Sequence, residues 1–234
     1  MNLPKLETPK YQLTVPSTKK EVNFRPFLVK EEKILLIAQE SDEESAYIKA
    51  MRDIVNSCTF GEIEIKDLTS FDLEYIFLKL RAKSVGEDVE LIIKCSECDE
   101  ENVIKINLDD IPVTEAEPLP NKIALTDSIG IVPQHVKVDS LIKISNIKDE
   151  GEILTQTLAA TIKSIYDETN VYPISEASDK DVKDFIDSLN REQLEKIEAV
   201  TNSTPRVEKT ISFKCTKCGA ENKQILSGID SFFV

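Results

Sequence analysis

The sequence predicts an α+β fold in which helices pack around two β-hairpins. Two Cys-x-x-Cys motifs, at residues 95–98 and 215–218, each lie between short apolar runs rich in β-branched residues. This pattern is typical of a hairpin that carries both thiols at its turn. Elsewhere apolar side chains recur with the spacing of one helical face, most clearly over residues 70–86, and this spacing predicts amphipathic helices.

The two motifs together form a complete ligand set for one metal ion. Four thiolates suit a tetrahedral Zn²⁺, and a set of four cysteines leaves no open coordination position for chemistry. We therefore expect one structural Zn²⁺ per chain, at a site that two zinc-knuckle hairpins share, and no other cofactor. The predicted metal ligands are Cys95, Cys98, Cys215 and Cys218.

Three other interpretations of the cysteines stay open: two disulfides, a redox-active pair, or four reduced thiols without a metal. In a common zinc ribbon the second pair follows the first after about 15 to 20 residues, whereas more than a hundred residues separate Cys98 from Cys215. Disulfides need an oxidising compartment. A thioredoxin-like motif opens a helix, whereas these motifs lie between strands, so shared zinc is the favoured interpretation.

The two hairpin regions share further features that suggest an internal duplication. Glu101-Asn102 follows the first motif, and Glu221-Asn222 follows the second at the same distance. The helix expected before each hairpin also places leucine and isoleucine at matching positions. We therefore expect two copies of a helix–hairpin unit that face each other across one metal.

Length and composition indicate an ordinary soluble protein. The chain has 234 residues, of which 41% are hydrophobic and 31% charged, and this length can bury a sizeable core. Its first ten residues lack the apolar segment of a secretory signal. No run approaches the roughly 18 apolar residues that a membrane span needs, so we expect neither secretion nor a span.

The net charge of −14 argues against one class of function. Its acidic residues are spread along the chain and are typical of a soluble, self-repelling surface. Nucleic-acid backbones attract basic surfaces, so the chain as a whole is a poor nucleic-acid binder. A zinc-ribbon regulator that binds nucleic acid is the rival hypothesis, and it would need a basic face around the two motifs.

The N-terminal region is expected to form two strands followed by helices. Residues 11–15 and 21–29 are predicted strands around a Pro-Ser turn, and residues 30–41 are a predicted helix. Ser41 and Glu44 have the spacing of a capping box for a second helix. The apolar face of that helix carries Tyr47, Met51, Ile54 and Cys58.

A third helix is expected to lead directly into the first hairpin. Ser70 is its predicted cap and Gly86 its predicted end. Cys58, the fifth cysteine, lies on the second helix and is expected to be a small core residue.

The segment at residues 112–150 has a different character, since prolines interrupt short β-like pieces. We expect it to be an insertion of short strands or a linker between an N-terminal part, residues 1–111, and a C-terminal part, residues 151–234. The β-like pieces are KIAL, IGIV, HVKV and LIKI.

The C-terminal part predicts three helices and the second hairpin. Ser178 is the predicted cap of the second of these helices, and the third is expected to end before Pro205. The first should begin near Gly151 and carry Leu154, Leu158, Ile162 and Ile165 on one face.

No catalytic site is predicted. His135 is the sole histidine, and without a second histidine or a nucleophile motif nearby it is a poor general base. The sequence contains no glycine-rich phosphate loop and no G-x-S-x-G elbow.

Lys94 and Lys214 precede the cysteine pairs and are expected to be solubilising strand residues. Residues 25–27 and 232–234 are expected to pack on the body of the protein.

Four segments carry a resemblance to a known family. They are residues 16–41, residues 71–87 (FDLEYIFLKLRAKSVGE), residues 185–200 (FIDSLNREQLEKIEAV) and residues 226–234 (LSGIDSFFV). Together they resemble the baseplate hub assembly proteins of T-even-type contractile-tailed bacteriophages. The resemblance covers most of the chain and is weakest over residues 112–150.

This resemblance implies a non-enzymatic late protein of phage tail morphogenesis. Its expected partners are other baseplate hub or tail proteins, not nucleic acid, and its expected location is the host cytoplasm during phage assembly. The resemblance leaves two roles open, a transient assembly chaperone or a permanent component of the virion tail baseplate. Cytoplasmic synthesis would agree with reduced, metal-bound thiols.

Overall fold

Helices and small antiparallel sheets alternate along the chain, which confirms the α+β prediction. The computed structural model describes residues 6–41, 43–115 and 117–232. The helices are α1 (Val29–Gln39), α2 (Glu44–Cys58), α3 (Ser70–Val85), α4 (Val138–Ile144), α5 (Glu150–Ala160), α6 (Asp179–Asp187) and α7 (Arg191–Asn202). The strands are β1 (Tyr11–Thr14), β2 (Glu21–Phe24), β3 (Asp88–Lys94), β4 (Glu101–Asn107), β5 (Ile123–Ala124), β6 (Gly130–Pro133), β7 (Ile162–Tyr166), β8 (Val171–Pro173), β9 (Glu208–Lys214) and β10 (Glu221–Ser227).

The first hydrophobic core joins the β1–β2 hairpin to α2 and α3. Met51, Ile54 and Cys58 on α2 are all buried there, as the predicted apolar face requires, whereas Tyr47 is only partly buried. Burial raises the pKa of the Cys58 thiol to about 11. Cys58 is therefore a neutral core residue, as predicted.

Two predicted helix caps are wrong by one or two residues. The N-cap of α2 is Glu43, and the Ser41 hydroxyl instead accepts a hydrogen bond from the Glu43 backbone N–H at 3.1 Å. The N-cap of α3 is Thr69, which forms a capping box with Asp72, so Ser70 is already the first helical residue. At α3 the shift arises because the Thr69 hydroxyl accepts the hydrogen bond from the Asp72 N–H that a serine at the next position was expected to accept, whereas the α2 cap makes no side-chain hydrogen bond.

A second core lies between α3 and two hairpins with seven-residue strands, hairpin 1 (β3–β4) and hairpin 2 (β9–β10). Leu78 and Ala82 of α3 lie in this core together with buried side chains from both hairpins. Phe232, in the short 3₁₀ helix Ile229–Phe232, is fully buried in the same core. The packing prediction is therefore confirmed for Phe232, while residues 233 and 234 lie outside the described part of the chain.

The third core is built on a four-stranded antiparallel sheet with the order β5-β6-β7-β8. Strand β6 precedes residue 150 and strand β7 follows it, and the two strands pair through Ile131 and Ile165. Helices α5, α6 and α7 contribute buried side chains to this core. The division of the chain at residues 111 and 150 stays a prediction.

The long helix predicted after Gly151 is wrong in its second half. Helix α5 ends at Ala160, where the Thr161 hydroxyl donates a hydrogen bond back to the Leu158 carbonyl at 2.7 Å. Ile162 and Ile165 lie in β7 instead. Their spacing fits a helix, but β-branched residues also suit strands, and pairing with β6 decides the outcome.

The strand prediction is also wrong for two of the four β-like pieces in the middle segment. HVKV forms no strand, and LIKI forms the second half of α4. KIAL and IGIV do contribute strands β5 and β6. Short apolar runs of this kind carry no period long enough to separate strand from helix.

A buried ion pair fixes the start of α1. The Arg25 guanidinium donates a hydrogen bond to the Glu31 carboxylate at 2.9 Å, and both side chains are buried. Arg25 also donates to the Pro26 carbonyl at 2.9 Å, and Glu31 accepts from the Leu28 backbone N–H at 2.9 Å. Arg25 therefore packs on the body of the protein, as expected for residues 25–27.

The charge of Glu31 is strongly favoured in the folded state. Burial raises its pKa, but hydrogen bonds from Arg25 and from the Leu28 N–H outweigh burial and lower the pKa from 4.5 to about 2. Because the folded pKa is depressed, the stabilisation is fully present above pH 4.5. It is lost as the pH falls from 4.5 towards 2.

We predict that Glu31→Gln lowers the free energy of unfolding by about 3 kcal/mol at pH 7, because it leaves the Arg25 charge buried without its partner. The difference from the unsubstituted protein should shrink between pH 4.5 and pH 2. Urea unfolding at pH 7 and pH 3 measures both quantities. Glu32→Gln, on the exposed side of α1, is the matched control, and an equal loss of stability at both pH values would contradict the assignment.

Candidate metal centre

The turns of the two hairpins have nearly the same backbone structure. In hairpin 1 the Cys95 N–H donates to the Glu100 carbonyl at 2.9 Å, and the Asp99 N–H donates to the Cys95 carbonyl at 3.1 Å. Hairpin 2 repeats both bonds at Cys215 and Gly219, at 2.8 and 3.1 Å. The residue after each second cysteine is left-handed, with φ of +56° at Asp99 and +72° at Gly219. This turn points both thiols of each motif the same way.

The fold brings the four predicted ligands together from the two turns. The Cys95 and Cys218 sulfurs are 3.7 Å apart, the Cys98 and Cys215 sulfurs are also 3.7 Å apart, and all four lie within 4.8 Å of one another. Four sulfurs at about 2.3 Å from one tetrahedral ion lie about 3.8 Å apart, whereas a disulfide needs about 2.05 Å. The group therefore fits a metal ion, and all four thiols are free.

The four cysteines differ in their exposure. Cys95 and Cys215, the inner cysteines, are buried, whereas Cys98 is half-buried and Cys218 is exposed. The centre therefore lies at the edge of the second core, with one side towards solvent.

Local hydrogen bonds favour the thiolate form at the inner cysteines. Backbone N–H groups of Cys218 and Lys217 lower the pKa of Cys215 to about 6, and the Glu97 N–H lowers the pKa of Cys95. At Cys98 the Glu100 N–H lowers the pKa, but the neighbouring thiols and burial outweigh it and raise the pKa to about 12. Four sulfurs so close together cannot all be ionised without a cation among them.

Two asparagines, Asn102 and Asn222, connect the hairpins beside the sulfurs. The Asn222 amide oxygen accepts hydrogen bonds from the Ser96 backbone N–H and hydroxyl, at 2.9 and 3.0 Å. The Asn102 amide oxygen accepts the equivalent pair from Thr216, at 2.9 and 3.2 Å. The repeated Glu-Asn sequence was a signal for these residues, but the sequence alone did not show that each reaches the opposite hairpin.

The comparison with protein families identifies the kind of protein that carries this centre. A family described as T4 bacteriophage base plate protein matches residues 8–234. The chain belongs to this family. The match confirms the resemblance to phage baseplate proteins that the four sequence segments indicated. No curated protein and no solved structure matches the chain.

In this base plate protein, the lysine that connects the two turns is not one of the two lysines that directly precede the cysteine pairs. Lys94 and Lys214 are exposed on the strands. Lys217 instead connects the two turns, because its ammonium group lies 2.8 Å from the Glu100 carboxylate. This exposed ion pair adds little stability by itself.

His135 of the base plate protein lies against the Phe71 ring, with centroids 5.2 Å apart. Burial lowers its pKa, so it is neutral at pH 7. It does not belong to the four-cysteine group, which is the potential metal-binding group of the described residues.

No helix in the described part of the base plate protein combines the length and apolarity that crossing a bilayer requires.

Proposed function

We propose that the chain is a non-enzymatic phage tail morphogenesis protein that acts in assembly of the baseplate central hub through protein–protein contacts. The family match across residues 8–234 carries this proposal. The protein acts in the host cytoplasm, and its partners are other hub or tail proteins. A structural Zn²⁺ bound by the four cysteines holds its two hairpins together.

The chemistry of the donor set supports zinc in a structural role. All four donors are cysteine sulfurs, which bind metals as thiolates and in that form favour Zn²⁺ over the hard cations Mg²⁺ and Ca²⁺. Four protein ligands fill a tetrahedral shell, so no position is left for a substrate or a water. Binding of zinc at such sites in small peptides contributes about 10 to 16 kcal/mol at pH 7, which is comparable to the whole stability of a typical domain.

The surface around the centre supports a protein partner more than a nucleic acid. Residues 94–101 and 214–221, which form the two hairpin tips, carry five acidic and three basic side chains. A thiolate-bound Zn²⁺ would add further negative charge. This is not the basic face that binding to a phosphate backbone requires.

Helix α1 carries the apolar surface that we assign to partner contact. It packs on the first core mainly through Leu35, while Val29, Leu36 and Ile37 are 64%, 55% and 70% exposed. Apolar groups that cluster on one exposed face mark protein interaction sites more often than isolated ones do. A hub or tail protein that covers this face would remove them from water.

We predict that the chain binds one zinc per molecule and that Cys95→Ser and Cys215→Ser lose it equally, with equal loss of folding. Each substitution removes one of four ligands from opposite hairpins. Elemental analysis with thermal unfolding measures both effects. Cys58→Ala is the matched control and should keep one zinc, because Cys58 lies in a different core.

Two other stoichiometries would change the conclusion. Half a zinc per chain would mean a site shared between two molecules, and no zinc would exclude the metal centre while leaving the family assignment intact.

We predict that Leu36→Lys and Ile37→Lys keep the melting temperature but weaken binding to the partner about tenfold, the effect of about 1.4 kcal/mol lost at an interface, and thereby reduce the yield of infectious particles. The reason is that these side chains contact solvent in the free protein and the partner in the assembly. Phage that carry each variant provide the measurement. Gln39→Lys on the same helix is the control, and normal yields from the leucine and isoleucine variants would exclude α1 as the contact face.

For an assembly factor we expect the protein to be abundant in lysate of infected cells and depleted from purified particles. Quantitative mass spectrometry of the two samples measures this directly, because a factor that is released leaves no fixed copy number behind. A constant number of copies per particle would instead make the chain a permanent subunit of the virion baseplate hub.

A further inference from the structure

Asn102 and Asn222 have a role that the four-cysteine centre alone does not explain. We infer that they form a reciprocal clasp, in which each asparagine of one hairpin positions the metal ligands of the other. This inference rests on the proposed zinc centre and adds to it two positioning residues that are not ligands.

The hydrogen bonds of the clasp are crossed between the hairpins. Asn222 belongs to hairpin 2, yet its oxygen binds the Ser96 N–H, in the turn of hairpin 1, and its Nδ2 lies 3.4 Å from the Cys95 sulfur. Asn102 belongs to hairpin 1 and does the same for Thr216 and the Cys215 sulfur, with a longer Nδ2–sulfur distance of 3.9 Å. The arrangement therefore has an approximate twofold relation across the centre.

Each asparagine is also held within its own turn. The Asn102 Nδ2 donates to the Glu100 carbonyl at 2.8 Å, and the Asn222 Nδ2 donates to the Ala220 carbonyl at 3.1 Å. These bonds fix which end of each amide faces the opposite hairpin. Both residues are buried, at 2% and 8% exposure, and buried amides are costly unless their polar atoms are bonded.

The clasp acts on the inner cysteines in two ways. The amide oxygen holds the residue after Cys95 or Cys215, which fixes the direction of that thiol. The amide N–H points at the sulfur and stabilises its negative charge when a metal binds. Groups that orient the ligands of a metal in this manner typically change its affinity 10- to 100-fold when they are replaced.

Asn102→Asp and Asn222→Asp separate these effects from a general loss of packing. Aspartate keeps the shape and the accepting oxygen but replaces the N–H donor with a carboxylate oxygen beside the thiolate. We expect a 10- to 100-fold weaker affinity for Zn²⁺ in each variant, measured on the full chain by competition with a chelator. Val103→Ala and Lys223→Ala alter the next residue on the same strands, which faces solvent, and should keep the affinity of the unsubstituted protein.

The crossed pattern gives a second readout that a merely structural role would not produce. In the zinc-loaded protein, Asn222→Ala should speed hydrogen exchange at the Ser96 amide in the opposite hairpin, and Asn102→Ala should do so at the Thr216 amide. Amide exchange followed by NMR measures both. If an alanine variant does not fold, the aspartate variants and Ser96→Ala, which removes only the hydroxyl donor, still test the clasp through the zinc affinity.

The outcomes separate the clasp from the metal centre. If the unsubstituted protein binds zinc and the aspartate variants bind it equally well, the clasp is excluded and the centre stands. Faster exchange only within the hairpin that carries the substitution would also exclude it. If the unsubstituted protein binds no zinc, the metal centre and the clasp are both excluded.

Discussion

The meeting of two hairpin turns at four sulfurs is the constraint on which the arrangement of the chain depends. More than a hundred residues lie between the two turns, and closing a loop of that length has an entropic cost that local contacts do not offset. Burial in the second core offsets part of this cost, because side chains of both hairpins and of α3 lie in it together. A metal bound by both turns would close the same loop at its outer end.

Similar turns do not make the centre symmetric in its surroundings. The backbone hydrogen bonds of the two motifs match closely, and both asparagines cross between the hairpins. Yet Cys98 is half-buried and Cys218 is exposed. The outer faces of the hairpins also differ, since Ile92 and Val103 pair on hairpin 1 where Ser212 and Lys223 pair on hairpin 2. Sequence similarity is thus kept at the cysteines and asparagines where the turns meet and is lost at this exposed cross-strand pair.

The sequence predicted the parts of this fold that depend on local pattern. Alternation of apolar and polar residues predicted hairpins 1 and 2, and helical spacing predicted helix α3. The repeated Cys-x-x-Cys spacing predicted that the four cysteines form one group. Strand β7 was missed because Ile162 and Ile165 continue the spacing of α5, and only pairing with distant β6 makes them a strand. The sequence also could not predict that Asn102 and Asn222 each bond to the opposite hairpin, since this depends on how two remote turns meet. Helical spacing did not show that α1 leaves its apolar side exposed.

Helix α3 connects the four-cysteine group to the rest of the molecule because it is buried on two sides. Its side chains Ile76 and Phe77 lie in the first core, and Leu78 and Ala82 lie in the second. A helix with buried side chains on two of its sides is typical of such a central position. Loosening of the hairpins would therefore expose one side of α3 and weaken the first core, on which α1 packs through Leu35. Stability at the cysteines is therefore coupled to the first core, and to the helix α1 that packs on it, through α3 and also through the short 3₁₀ helix, whose Ile229 lies in the first core and whose Phe232 lies in the second.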